Sequence, residues 1–432
     1  MKHQSPAEVG RQTEHLWLPY TQMAIAPPPL EAVETAGARI RLKDGRDLVD
    51  GIASWWTACH GYNHPHIRAA VAGQLEAMPH VMFGGLVHEP AVTLANRLTG
   101  ILPAGLERVF FSESGSVAVE IALKLAIQYR ANRGEMGATR FVAFRRGYHG
   151  DTLGAMAVSD PELGFHDRRH FGGYVPEHFF ADVPRDAKAA ERFDAFLTQH
   201  ASEVAGVIVE PLVQAAGGMH FHSAESLRWV AEACRRHGLL LIADEVATGF
   251  GRTGRLFACE EAGISPDILC LSKALTGGTM ALAATVASAE IFEAFLGPDP
   301  EKAFLHGPTF MANPLACAAA NASLDLFERE PRLEQIAAIE AHLGAALEPC
   351  RDLPGVRDVR AKGAIGVVEL EGNFDHDWLR ARFVEEGTWI RPFGNIVYLM
   401  PAFVIEPEDL ERLTGAVVKV VGEWSAHKKT PG

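Results

Sequence analysis

Short apolar runs alternate with longer stretches of helical period over the middle 250 residues of this chain. Arg108-Val-Phe-Phe-Ser112 predicts a strand. After Gly115, residues Ala118, Ile121, Ala122, Leu125 and Tyr129 fall on one face of a helix. Arg140–Phe144, Gly206–Glu210, Leu239–Ile242, Ile268–Leu271 and Ala283–Ala287 predict further strands, with a helix over Ser223–His237 between two of them. Runs so poor in charge suit strands buried on both faces. The alternation is the βαβ rhythm of a mostly parallel sheet wrapped by helices.

The flanking regions read differently. The first fifty residues are irregular, with Pro27–Pro29, and then predict a hairpin of Arg39–Lys43 and Asp47–Asp50 about the turn Asp44-Gly45. Helical patterns follow at His64–Met78, Pro314–Phe327 and Leu333–Leu347. Beyond Leu353-Pro-Gly355 the texture turns to strands over Gly355–Glu371 and Asn395–Met400, with helices at Asp377–Glu386 and from Pro407. The expected organisation is a large α/β domain over residues 61–330 and a smaller α+β domain over 331–432, to which residues 1–60 contribute. A chain of 432 residues suits such a division.

Two strand ends carry the candidate chemistry. Leu239-Leu-Leu-Ile-Ala closes on Asp244-Glu245, and Ile268-Leu-Cys-Leu leads to Lys273. Open α/β sheets bind ligands at the carboxyl ends of their strands. A lysine in apolar surroundings loses solvation of its charged form, so it becomes a nucleophile able to form a Schiff base. An aspartate nearby can keep a pyridine nitrogen protonated, which makes pyridoxal phosphate an electron sink. On spacing alone, two unrelated strand ends remain an equal reading.

Other segments add weaker signals. Between a strand and a helix, Phe111-Ser-Glu-Ser-Gly-Ser116 leaves the N–H groups of Gly115 and Ser116 free to grip a phosphate, or is an ordinary helix cap. Tyr148, in Gly147-Tyr-His-Gly-Asp151, can stack on a flat ring or lie on the surface. His306-Gly-Pro-Thr-Phe310 brings a hydroxyl that could reach phosphate. Ile390-Arg-Pro392 places an arginine at a strand start, where it wants a carboxylate of a substrate or of the protein. Gly249-Phe-Gly-Arg-Thr-Gly254 matches the dinucleotide fingerprint, but that motif should follow its strand directly and open a long helix. A nicotinamide dehydrogenase is thus a rival that leaves Lys273 unexplained, and a non-catalytic regulator would carry a basic DNA-binding module that is not visible.

Composition narrows the field. A net charge of −14 argues against nucleic acid. Six scattered cysteines without a CxxC pair suit reduced thiols in the cytoplasm. His64-Pro-His66 is the nearest approach to a metal pair and reads better as a loop before a helix, so no metal is expected. Met1–Gly10 is polar, without a hydrophobic signal core. The longest uncharged run, Ala274–Ala289, is broken by Gly277-Gly278 and falls short of the ~20 residues a membrane span needs.

Taken in order, several segments resemble the class-III aminotransferases of pyridoxal-phosphate fold type I. They are Trp55-Trp56, His60-Gly-Tyr-Asn-His-Pro65, His80-Val-Met-Phe-Gly-Gly85, Ser114-Gly-Ser-Val-Ala-Val-Glu120, the Asp244 and Lys273 strands, His306–Met311, Asn313–Ala318 and Trp389-Ile-Arg-Pro-Phe-Gly394. The resemblance runs from about Trp17 to Leu413, with the loop near Pro161–Arg185 and both ends unmatched. It implies that Lys273 carries the cofactor, Asp244 pairs with its ring nitrogen, and Tyr148 and Val246 cover its two faces. Gly115 and Ser116 would bind the phosphate, joined by Pro308 and Thr309 of a second subunit in a homodimer. Trp55, Trp56, Gly307 and Arg391 would line the substrate pocket, with Tyr20 and Asp151 aiding recognition. With the Trp55-Trp56 pair, Tyr20 and the Arg391 segment as its more specific marks, the resemblance implies transfer of an amino group from S-adenosylmethionine to 8-amino-7-oxononanoate in biotin synthesis. A broader ω-amino acid:pyruvate transaminase is the alternative.

Overall fold

The computed structural model of the chain describes residues 15–163, 168–372 and 374–428, and the polar stretch Met1–Gly10 lies outside them. Its main sheet has seven strands: β1 (Leu106–Ser112), β2 (Arg140–Phe144), β3 (Phe179–Ala181), β4 (Val204–Val209), β5 (Leu240–Asp244), β6 (Ile268–Leu271) and β7 (Ala283–Ser288). They lie in the order β1-β7-β6-β5-β4-β2-β3. Strand β7 runs antiparallel to β6 and to β1, and the other neighbours are parallel. The expected α/β class and mostly parallel sheet are therefore found.

Every residue of β4, β5 and β6 is buried, as their apolar runs require. Side chains alternate between faces. Ile208, Leu240 and Ile242 pack with Ala118, Ile121, Ala122, Leu125 and Tyr129 of the helix Gly115–Asn132. Val207, Val209 and Leu241 meet Phe193, Leu197, Leu227 and Val230 of the helices Ala187–His200 and Ala224–Arg236 on the other face. Each fully buried aliphatic side chain contributes about 1.5–3 kcal/mol. Because β5 and β6 are parallel, with Asp244 opposite Cys270, their carboxyl ends share one edge. That edge holds Asp244 and, just past β6, Lys273.

Two smaller sheets lie outside this core. Ala32–Ala36, Arg39–Leu42 and Asp47–Asp50 form one with Thr388–Trp389, where Val49 sits opposite Thr388 and Asp50 opposite Trp389 in parallel register. Val356–Lys362, Ile365–Leu370 and Ile396–Leu399 form the other. The stretch Gly355–Glu371 is thus two strands, turned at Gly363. That residue has a φ of +54°, and a Cβ there would come within 2.4 Å of the Arg252 carbonyl oxygen. His64 caps the helix Pro65–Ala77, so the His64-Pro-His66 stretch is the loop-to-helix junction expected. Among the described residues no helix is long and apolar enough to cross a membrane.

Candidate active site

A cavity of about 220 Å³ opens at the carboxyl edge of β5 and β6. Asp244 ends β5, and its Oδ1 accepts the Val246 N–H at 3.1 Å. Its Oδ2 lies 2.7 Å from His149 Nδ1, with both side chains buried. Lys273 opens a short 3-10 turn, Lys273–Thr276, with a φ of +42°. Burial lowers its pKa, against the opposing pull of Asp244 and Glu210. Its Nζ stands 4.6 Å from the centroid of a Trp56 ring. A strand-end lysine has thus become a poorly solvated amine facing a carboxylate.

One end of the cavity is lined by backbone. Ser114 caps the helix Gly115–Asn132, its Oγ accepting the Val117 N–H at 3.3 Å. That leaves the first N–H groups of the helix, at Gly115 and Ser116, at its positive end and lining the cavity. A Cβ at Gly115 would lie 2.7 Å from Val246 Cγ1, and one at Gly150 would lie 2.3 Å from Ser116 Oγ. Only glycine lets the chain close in so tightly here. Ser116 Oγ is held by the Thr152 N–H at 2.9 Å.

The outer wall is aromatic and acidic. Tyr20 and Tyr148 donate their hydroxyls to the two oxygens of Asp151 at 2.6 and 2.8 Å, and the two hydroxyl oxygens lie 3.1 Å apart. Burial pushes the Tyr20 hydroxyl up to about 12, helped by Asp151. The Trp55 ring meets Tyr20 edge-on at 6.1 Å, and the Arg391 guanidinium sits 5.7 Å from Trp55 and 5.9 Å from Trp389. Arg391 follows the strand Thr388–Trp389 instead of starting one. It has no carboxylate or hydrogen-bond partner among the described residues. Burial, then Arg380, lowers its pKa.

Lys273, Asp244, Tyr148, Val246, Gly115, Ser116, Asp151 and Trp56 all line the one cavity. Tyr20, Trp55 and Arg391 join it through the contacts above. Gly307, Pro308 and Thr309 do not line this chain's own cavity. Two ionisable lining residues escaped the sequence reading. His149 and Glu210 were legible only as neighbours, one beside Tyr148 and the other at a strand end like Asp244. Glu210 accepts the N–H groups of Tyr148 and Ala215 at 3.0 Å each, and burial pushes its pKa up to about 7. The Gly249–Gly254 stretch is a run of turns leading to the five-residue helix Ala258–Ala262. With no long helix after it, the dinucleotide reading fails.

The sequence profile of the aminotransferase class-III family matches residues 21–421. The chain belongs to the class-III aminotransferases. The adenosylmethionine-8-amino-7-oxononanoate aminotransferase of Mycobacterium leprae is 46% identical to it, over 97% of this chain and 98% of that one. The protein of the same name from Corynebacterium glutamicum is 42% identical, over 94% and 97%. Among solved structures, the enzyme of that name from Methanocaldococcus jannaschii superposes with a TM-score of 0.92 at 33% identity, covering 96% of this chain and 98% of that one. An amine transaminase from an uncultivated Pseudomonas species, in its PLP-bound form, gives 0.89 at 32% identity over 95% and 98%.

This class-III aminotransferase depends on pyridoxal phosphate. Its cavity suits that cofactor. A slot where a Cβ is forbidden, beside free helix N–H groups, accepts a phosphate. A buried carboxylate braced by His149 can face a ring nitrogen, and a poorly solvated lysine can face an aldehyde.

Proposed function

We propose that this enzyme moves the amino group of S-adenosylmethionine to 8-amino-7-oxononanoate, giving 7,8-diaminononanoate in biotin synthesis. The observation that carries the reading is the outer wall, where Tyr20, Trp55, Tyr148 and Asp151 stand with an Arg391 that has no carboxylate partner among the described residues. A sulfonium adenosyl donor is bulky, cationic and aromatic, so flat rings and one acid suit it. The acceptor is a thin apolar chain ending in a carboxylate, which a guanidinium fork matches. The names of the relatives support the same pair.

In this reading Gly115 and Ser116 hold the cofactor phosphate through their N–H groups, with Pro308 and Thr309 of a second copy. Asp244 keeps the ring nitrogen protonated, and Tyr148 and Val246 flank the ring. When bound, pyridoxal phosphate supplies an electron sink for the carbon that bears the amine. Lys273 Nζ takes the proton from that carbon in the first half-reaction. In the second it delivers a proton to C7 of the acceptor. The nitrogen lost by the donor ends on the carbon that carried the acceptor's ketone. Trp56 walls the pocket behind Lys273, and Gly307 of the second copy lines its mouth.

A homodimer is part of the proposal. Leu305 and Phe310 flank the Gly307–Thr309 loop and are 84% and 59% exposed, an apolar surface that suits a second copy. Six buried free cysteines suit a cytoplasmic enzyme. The alternative, an ω-amino acid:pyruvate transaminase, draws on the likeness to the amine transaminase.

A half-reaction decides between them. S-adenosylmethionine added alone to the holoenzyme should shift the visible cofactor absorbance in a single turnover. If alanine or another simple amine does so readily and S-adenosylmethionine does not, the proposed donor is wrong.

A further inference from the structure

Four consecutive residues with side chains, Ala53, Ser54, Trp55 and Trp56, have φ values of +43°, +49°, +54° and +74°. They form one turn of left-handed helix, closed by Trp56 N–H to Ile52 C=O at 2.7 Å and Thr57 N–H to Ala53 C=O at 2.9 Å. L-residues avoid this region because Cβ crowds the next carbonyl oxygen, and they visit it as single residues instead of in series. Something outside the turn must hold it.

Asp50 is placed to do so. Its buried carboxylate accepts the N–H groups of Ile52 and Ser54 at 2.9 and 2.8 Å and the Tyr62 hydroxyl at 2.6 Å. Tyr62 Oη also lies 2.8 Å from Ser54 Oγ. The Tyr62 backbone exchanges hydrogen bonds with Gly37 at 2.7 and 3.3 Å, which ties it to the turn between the strands Ala32–Ala36 and Arg39–Leu42. Asp50 itself stands opposite Trp389, just before Arg391 in the chain.

The turn determines where two indoles go. Trp56 points inward, 7% exposed, with its ring against Lys273. Trp55 points outward, 43% exposed, between Tyr20 and Arg391. A right-handed turn over the same residues would step the side chains in the opposite sense and lose one of these contacts.

We propose that Asp50, clasped by Tyr62, is a positioning residue that keeps this turn left-handed and so sets both walls of the substrate pocket. The inner wall is the one at Lys273 and the outer wall the one at Arg391. The inference rests on reading this pocket as the transamination site.

The test uses the holoenzyme and three variants: Tyr62→Phe, Asp50→Asn, and Asp50→Asn combined with Ser54→Gly. The readouts are kcat and KM for the keto acceptor, and the near-ultraviolet circular dichroism of the indoles. Asp50→Asn should raise KM about tenfold or more, with a smaller change in kcat, and should alter the indole signal. Tyr62→Phe, the milder change, should do the same to a lesser degree. Glycine enters left-handed backbone freely, so Ser54→Gly should restore most of both readouts in the Asp50→Asn background.

Unchanged KM and indole signal in Asp50→Asn and Tyr62→Phe would overturn the proposal. So would a loss that Ser54→Gly fails to rescue, since a merely structural role for Asp50 predicts no rescue. If the wild-type protein transaminates no amine, the reading of the site fails instead. The dichroism then decides the clasp alone, with a lost signal restored by Ser54→Gly supporting it and an unchanged signal overturning it.

Discussion

His149 Nδ1 sits 2.7 Å from Asp244 Oδ2, and neither side chain has more than 5% of its surface exposed. An ionised carboxylate only accepts, so Nδ1 carries the hydrogen and the imidazole donates. The bond orients Asp244 toward the cavity and stabilises its charge. His149→Ala should therefore weaken cofactor binding and lower kcat. Losing a hydrogen bond to a buried charge costs about 2 kcal/mol, on the order of 30-fold. Absorbance titration with pyridoxal phosphate checks it. Wild-type affinity and kcat in the variant would reduce His149 to packing.

Arg391 should matter more to the keto acceptor than to the donor. Its guanidinium rests on Trp55 and Trp389, with no carboxylate partner among the described residues. Removing a charge-assisted pair in a half-buried pocket costs about 2–3 kcal/mol, or roughly 30- to 150-fold in acceptor kcat/KM. Steady-state kinetics of Arg391→Ala, with each substrate varied in turn, separates the two effects. Equal losses for donor and acceptor would overturn this preference, because S-adenosylmethionine also carries a carboxylate.

Glu210 makes stability depend on pH in an unusual direction. Burial raises its folded pKa to about 7 from an ordinary 4.5. Between those values the folded state holds a proton that the unfolded state has lost, so stability falls as pH rises through this window. Glu210→Gln should remove that slope, and the variant should gain on wild type from pH 5 to pH 7. With about 1.4 kcal/mol per pKa unit, the difference is at most about 3 kcal/mol. Thermal midpoints of both proteins across this range measure it. Parallel profiles would mean that Glu210 titrates normally.

Shared sites predict complementation. Lys273→Ala removes the proton carrier, and Thr309→Ala removes a hydroxyl that does not line its own chain's cavity. Each variant alone should be impaired, Lys273→Ala completely. After subunit exchange, mixed dimers should recover activity, because one of their two sites is then intact. Verified exchange without recovery would mean that each chain builds its site alone.

The sheet was legible where strands are long and apolar on both faces. Phe179–Ala181 went unseen because three half-buried residues at an edge leave no pattern. Asp244 and Lys273 could be found because each ends an uncharged run, whereas Glu210 ends one too but was read only as the close of a strand. His149 was masked by the more conspicuous Tyr148 beside it. The left-handed turn at Ala53–Trp56 had no signal at all, since glycine or asparagine would mark such backbone and neither is present. Its cause lies in Asp50 and Tyr62, whose bonds to the turn exist only once the chain is folded.

The pairing of Val49 with Thr388 has a consequence during synthesis. A ribosome adds about 5–20 residues per second, so Asp47–Asp50 emerges tens of seconds before the strand it will join. Until then it waits as an open edge, short and bearing an aspartate at each end, features that discourage pairing with a stranger. The turn carrying Trp55 depends on that strand, and Arg391 leaves the ribosome directly behind its partner Trp389. The nascent chain can therefore complete its main sheet and still lack an outer wall to its pocket until nearly all of it has been made.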